Sequence, residues 1–224
     1  MSDAEEDMNC CSAPNGLDRV FDEATARDDA KRYLKRGLDG SARQVVDALL
    51  KQGVTGSSVL EIGSGAGGLH LDLLKSGAAR ATSVDLAPAY LDASKGVAAR
   101  LGLSERIDYR LLDFARRADE VSESDVVVMN RVVCCYPDMP ALVEPAAQHA
   151  RRLLALVFPR DVWWMRLGGR VLNAWMTLTR SAFRFFLHSP DAIVATVRKN
   201  GLAPVFEKRS GPWQIVVFRR ERAA

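Results

Sequence analysis

Residues 57–67 read Ser57-Ser58-Val59-Leu60-Glu61-Ile62-Gly63-Ser64-Gly65-Ala66-Gly67, a short apolar run that breaks into glycine at every second position. Ser57 to Ile62 has the length and content of a buried strand, and Leu69 to Lys75 continues with helical spacing. The glycines therefore occupy a strand-to-helix turn. Glycine there permits backbone angles and close main-chain approach that a side chain blocks. A glycine pattern alone says little, but its surroundings add to it. Asp85 follows Gly63 by 22 residues, at the end of a second strand read over Ala79 to Val84. An acid at that position is placed to accept hydrogen bonds from ribose hydroxyls.

The alternation continues outward. Pro88 to Leu101 reads as a helix with proline in its first turn, Ile107 to Leu112 as a strand ending at Asp113, and Asp125 to Met129 as the most apolar strand. A helix from about Met139 to Ala150 and a fifth strand, Leu153 to Phe158, follow. Strands separated by helices imply parallel pairing. Pro204 to Arg209 and Trp213 to Arg219 are separated only by Ser210-Gly211-Pro212, a connection too short for anything but antiparallel neighbours. The expected fold is α/β: Rossmann-like, doubly wound, a mostly parallel seven-stranded sheet with a C-terminal antiparallel hairpin. Ahead of the glycines, Asp28 to Leu50 shows near-helical spacing broken into two helices by Gly37 and Gly40. The expected organisation is a flexible tail over 1–16, an N-terminal helical lid over 17–56 and a main domain over 57–224, with 160–190 as a substrate-binding cap.

At 224 residues, with 48% hydrophobic and 26% charged residues, the chain has material for one packed domain. The first sixteen residues lack the basic start and apolar run of a secretory signal, which gives an expectation of cytoplasmic residence. Val162 to Leu178 is interrupted by Arg166, Gly168, Gly169 and Arg170, whereas a spanning helix needs about 20 mostly apolar residues. The cysteines form two adjacent pairs, Cys10-Cys11 and Cys134-Cys135, not the C-x-x-C spacing of zinc or redox sites, so no metal site is expected. Charge divides unevenly: residues 1–150 hold 17 Lys and Arg against 24 Asp and Glu, while residues 151–224 hold 14 against 4. The basic C-terminal part is either a solvated face or a match for an anionic partner.

Glu61, the glycine turn, Asp85, Asp113-Phe114 and the terminal hairpin together resemble the class I S-adenosylmethionine (SAM)-dependent methyltransferases. By that resemblance SAM is the cofactor and S-adenosylhomocysteine (SAH) the product. Glu61, Gly63, Ser64, Gly65 and Gly67 would hold the amino acid end, Asp85 the ribose and Asp113 the adenine amino group. Leu86 and Phe114 would pack on the ring, and Asn130 would face the methionine part and the substrate.

The acceptor is less defined. After the fourth strand stands Asn130-Arg131-Val132-Val133-Cys134-Cys135-Tyr136-Pro137, not the Asn-Pro-Pro-Tyr or Asp-Pro-Pro-Tyr of amino-methylating nucleic-acid enzymes, which argues against DNA or RNA. Cys135-Tyr136-Pro137, with Phe185-Phe186-Leu187-His188 and the helical lid, is similar to magnesium protoporphyrin IX O-methyltransferases, whose pattern has histidine where this chain has Cys135. The stretch Val162 to His188 mixes Trp163, Trp164, Trp175, Phe183, Phe185 and Phe186 with Arg166, Arg170, Arg180 and Arg184. It would suit a carboxylate-bearing apolar molecule, a helix on an acidic membrane contacted through 162–186, or a core-packing helix with solvated arginines. Candidates for a general base are His188, Tyr136 and Tyr33, whereas His70 and His149 read as structural.

The expected function is SAM-dependent methylation of a small, partly apolar molecule, with oxygen favoured as the acceptor atom. One alternative is a catalytically silent SAM-binding regulatory or accessory protein. A lesser one is methylation of a metalloid gripped by the four cysteines. The sequence sets no oligomeric state.

Overall fold

The computed structural model describes residues 22–181 and 183–221. The tail over 1–16 and Cys10-Cys11 lie outside the described residues. The chain enters through helix α1 (Glu23–Arg36), which starts where the Asp22 carboxylate accepts the Thr25 N–H at 2.8 Å and ends at Gly37 with φ 71°. Helix α2 (Gly40–Lys51) starts on Asp39, whose carboxylate accepts the Ala42 N–H at 2.9 Å. Gly40 is thus the first residue of the second helix, not a breaker; the break is the Gly37-Leu38-Asp39 link.

Then the alternation begins: β1 (Ser58–Ile62), α3 (Gly68–Lys75), β2 (Arg80–Asp85), α4 (Pro88–Arg100), β3 (Ile107–Leu111), the single turn α5 (Phe114–Arg117), β4 (Ser124–Asn130), α6 (Met139–His149) and β5 (Ala150–Pro159). Helices α7 (Trp163–Leu178) and α8 (Pro190–Lys199) precede the closing strands β6 (Leu202–Ser210) and β7 (Trp213–Arg220). The sheet runs β3-β2-β1-β4-β5-β7-β6. Strands β1 to β5 pair in parallel, while β7 is antiparallel to both β5 and β6. The expected doubly wound sheet with its terminal hairpin is present.

Strand β5 is longer than its apolar run suggests because Ala150 pairs with Ser124 and Pro159 with Trp213. The polar Arg152 at its start is accommodated by donating to the Gly53 carbonyl and the Ser57 hydroxyl.

Side-chain alternation on β4 divides the interior. Val126 and Val128 point into a cluster with Val45 and Leu49 of α2 and Leu71 and Leu74 of α3. Val127 and Met129 point into the opposite one, with Leu142 and Val143 of α6 and Ile193 and Val197 of α8. Burial on both faces is what a mostly parallel sheet requires. The sequence order reverses between β1 and β4, so the C-terminal ends of these two strands splay apart and open a crevice above the sheet.

Helix α7 is different: no residue of it is buried. The reading of Val162 to Leu178 as a core-packing helix is therefore overturned, because its apolar residues point away from the sheet. Among the described residues, no helix is long and apolar enough to cross a membrane.

Candidate functional site

The glycine turn is pinned to the end of β2. The N–H groups of Gly63 and Ser64 donate to the Val84 carbonyl at 2.8 and 3.1 Å, and the Gly65 N–H donates to Asp85 Oδ2 at 2.8 Å. Gly63 and Gly65 hold φ of 65° and 53°, in the left-handed region that disfavours other residues. A Cβ on Gly63 would also run into the Val132 side chain, and one on Gly67 into Ser94 and His70. The turn thereby leaves main chain, not side chain, facing the crevice.

That crevice is a cavity of about 420 Å³, within the range of roughly 300–1,000 Å³ that small ligands use. Glu61, Gly63, Ser64 and Gly65 line it from β1 and the turn; Asp85 and Leu86 line it from β2. Asp113, Phe114, Asn130, Tyr136 and Tyr33 complete the residues that the sequence singles out. Gly67 and His188 are not among the lining residues. Gly67 lies behind the turn as the N-cap of α3, with φ 82°. His188 is held elsewhere: its Nε2–H donates to the Tyr136 carbonyl at 2.9 Å and its ring stacks on Phe186.

Most polar groups in the wall are committed. Burial pushes the Asp85 carboxyl upward from its ordinary pKa of 3.8, opposed by the N–H groups of Ala87, Gly65 and Leu86. Glu61 is buried and its Oε2 receives both the His70 N–H at 3.0 Å and His70 Nδ1 at 2.7 Å. Asp113 caps α5 through the Ala115 N–H at 3.1 Å and accepts the Tyr136 hydroxyl at 3.2 Å. Burial, then Asp113, raises the Tyr136 phenol. Tyr33 donates to Asp72 at 2.7 Å, and burial together with Asp72 holds its proton far above neutral pH. His149 is tied to the carbonyls of Pro145, Ala118 and Val121.

Two buried wall atoms have no hydrogen-bond partner: the donor Arg131 Nε and the acceptor Asn130 Oδ1. A buried acceptor left bare costs free energy comparable to a lost hydrogen bond. Its position in the cavity wall suits a donor arriving with a ligand.

Several wall residues escape sequence reasoning. Asp29, Asp39 and Arg131 line the cavity. Asp29 accepts the Tyr90 hydroxyl at 2.6 Å, fastening α1 to α4. Arg131 has φ 64°, pairs with Asp39 at 2.7 Å, hydrogen-bonds Ser41 and lies over the Trp213 ring at 4.7 Å. It therefore joins α2 to the sheet. No local pattern announces a pair 92 positions apart; only its place just after β4 hints at it.

Cys134 and Cys135 are free and both sulfurs point at the Arg131 carbonyl, at 3.3 and 3.7 Å. The neighbouring Cys135 and burial push the Cys134 thiol up. Among the described residues no group of three or more His, Cys, Asp or Glu is arranged to hold a metal. The metalloid reading needs Cys10 and Cys11, which fall outside the described residues.

Residues 59–155 match the family model for a methyltransferase domain. The chain is 28% identical over 134 residues to a ribosomal protein L11 methyltransferase of Symbiobacterium thermophilum, which covers 55% of this chain and 43% of that protein. It is 38% identical over 77 residues to the ribosomal protein L11 methyltransferase of Escherichia coli strain SMS-3-5, covering 34% of this chain and 25% of that protein. The chain thus spans less than half the length of these curated relatives. Among solved structures, magnesium protoporphyrin IX methyltransferase from Synechocystis PCC 6803 with bound SAH superposes with a TM-score of 0.67 at 20% identity, over 89% of this chain and 99% of that one. An O-methyltransferase family protein from Burkholderia thailandensis gives 0.68 at 19% identity, over 95% and 64% respectively. At these identities the structures establish likeness of fold.

Proposed function

We propose that this chain, whose residues 59–155 match the methyltransferase-domain model, is a class I SAM-dependent methyltransferase that binds SAM in the 420 Å³ cavity and methylates a small, partly apolar molecule on oxygen. The observation that carries the reading is the wall itself. Glycine main chain at 63 and 65, the two acids Asp85 and Asp113 and the bare Asn130 Oδ1 converge on one cavity at the strand ends.

The residues present fit the cofactor. Gly63 and Gly65 give a cradle that a Cβ would strain, suited to the amino acid arm. Asp85 would accept ribose hydroxyls, Asp113 would accept the adenine amino group, and Leu86 and Phe114 would cover the ring. Asn130 Oδ1 would take a donor from the methionine end or from the acceptor. When bound, SAM supplies an electrophilic methyl group on a sulfonium. The chain's own task is then to hold an acceptor oxygen on the line of displacement and exclude water.

The protonation of the wall narrows the acceptor. Tyr33 and Tyr136 keep their protons, since burial and a neighbouring carboxylate raise both phenols, and His188 is not among the lining residues. None of the three residues singled out as bases is then available there as one. The wall suits an acceptor that arrives already ionised, and a carboxylate is ionised at neutral pH. Arg131 lines the same wall and would have to exchange its Asp39 partner for the acceptor carboxylate.

The test is incubation with methyl-labelled SAM and fractionated extract of the source cell. Label should appear in a small molecule and be released as methanol by mild alkali, the behaviour of a methyl ester. Tight SAH binding with no transferred label in any fraction would instead identify the silent SAM-binding protein. Label stable to alkali would move the acceptor from carboxylate to hydroxyl, nitrogen or sulfur.

A further inference from the structure

Helix α7 carries its apolar side outward. At 3.6 residues per turn, Trp163, Leu167, Val171, Trp175 and Leu178 fall on one side, and they are 75%, 54%, 62%, 61% and 76% exposed. The opposite side meets the protein. Asn173 receives the Phe185 N–H and donates to its carbonyl, both at 2.8 Å, and Met176 packs with Phe183 and Phe185. The helix is therefore anchored through Asn173 and Met176 and displays its largest residues. A contiguous exposed apolar face of this kind marks an interaction site.

The charge around that face selects the partner. Residues 160–188 contain five arginines and one acid, Asp161, and Asp161 is taken by Arg166 at 2.6 and 2.7 Å. Arg170 and Arg180 are exposed beside the apolar side. A two-fold contact with a second copy would bring like charges together, since apart from Asp161, taken by Arg166, this patch carries positive charge. Three of the four tryptophans in the chain lie on this helix, and tryptophan concentrates where apolar and aqueous phases meet. A 16-residue helix is about 24 Å long, enough to lie in that boundary but too short and too interrupted to cross it.

We propose that the outer face of α7 docks on an anionic lipid surface, with Trp163, Leu167, Val171, Trp175 and Leu178 in the headgroup and acyl boundary and Arg170 and Arg180 on lipid phosphates. The opposite side of α7 leads toward the cavity. Phe183 packs with Met176 and Phe185 and also with Leu86 and Cys135, and the last two line the cavity. An apolar acceptor dissolved in lipid then has a short apolar path to the wall. That supply route rests on the methyltransferase reading; the docking does not.

The experiment is co-sedimentation of the full chain with phosphatidylcholine vesicles and with mixed phosphatidylcholine–phosphatidylglycerol vesicles, read alongside tryptophan emission. The chain should pellet with the anionic vesicles and shift its emission to the blue, and the bound fraction should fall when salt rises, as screening demands. Trp163→Glu with Trp175→Glu should weaken partition by about a hundredfold or more, and Arg170→Gln with Arg180→Gln by about thirtyfold on anionic vesicles only. Circular dichroism and SAH affinity of these surface variants should match the parent, which separates failure of docking from failure of the cofactor site. Equal recovery of the parent in the supernatant with and without anionic vesicles would overturn the proposal. So would a dimer in sedimentation velocity that the tryptophan variant turns into a monomer, because the face would then be a subunit contact.

Discussion

Replacing Asp85 by Asn separates the cost of a site residue from its use. The carboxylate accepts the Gly65 N–H at 2.8 Å with one oxygen and the Ala87 N–H at 2.9 Å with the other. The amide keeps the size but has a single acceptor, so one of those N–H groups loses its partner, at about 1 kcal/mol. Against this, burial raises the Asp85 carboxyl, which means that the folded state holds the charge less readily than the unfolded chain does. Removing the charge returns that penalty, a term of opposite sign. The denaturation midpoint of Asp85→Asn should stay within about 1 kcal/mol of the parent. Binding has no such offset. A ribose hydroxyl donating to a charged acceptor contributes about 1.5–3 kcal/mol, so SAH affinity should fall roughly ten- to a hundredfold.

Isothermal titration with SAH and urea denaturation of the same preparations check both halves. The pH dependence checks the charge. Because the folded-state pKa is raised, the folded state binds the proton first, so Asp85's contribution to stability grows as pH falls from the raised value toward 3.8. SAH affinity should decline over the same window, and in Asp85→Asn it should be flat there. A variant that unfolds readily yet binds SAH like the parent would refute the reasoning and make Asp85 a turn residue.

Three further changes probe other parts of the site. Gly63→Ala places a non-glycine residue at φ 65° and a Cβ against Val132; destabilisation of about 2 kcal/mol or more is expected in urea, with part regained in Gly63→Ala, Val132→Ala. Arg131→Ala removes a partly exposed pair with Asp39, so stability should move by no more than about 1 kcal/mol; hydrogen exchange across 37–42 should rise as α2 loses its tie to the sheet. Asp125 accepts both the N–H and the hydroxyl of Ser58, and the Ser58 N–H holds its carboxyl below 3.8. Its stabilisation is complete above the ordinary pKa and is lost as pH falls through the lowered one, so Asp125→Asn should flatten the acid end of a stability-versus-pH profile.

The proposed cofactor half of the site is readable along the chain because its determinants are local. Gly63, Gly65, Asp85, Asp113 and Asn130 each sit at a strand end, where apolar content stops and a polar or glycine residue begins, and a linear reading detects that transition. Helix α7 was legible as a mixture of aromatics and arginines but not as an outward-facing helix. Periodicity gives the two sides of a helix, and only packing tells which side meets the protein. His188 shows the complementary failure, since nothing in Leu187-His188-Ser189 reveals that the ring would be held by the Tyr136 carbonyl.

The same division governs the function. The sheet fixes the cofactor wall through hydrogen bonds from one strand end to the next, Gly63 and Ser64 to Val84 and Gly65 to Asp85, and these positions cannot shift without breaking the parallel ladder beneath them. The acceptor wall is hung from that frame by long-range side-chain ties: Asp29 to Tyr90, Asp39 to Arg131 and Tyr136 to Asp113. Partly exposed ties of this kind are individually weak. Helices α1 and α2 and the segment around Phe185 can therefore diverge in sequence, or move, while the cofactor wall stays in place. Acceptor preference then follows from the tied elements, and exchanging α7 with the 183–188 segment should change the acceptor while leaving SAH affinity intact.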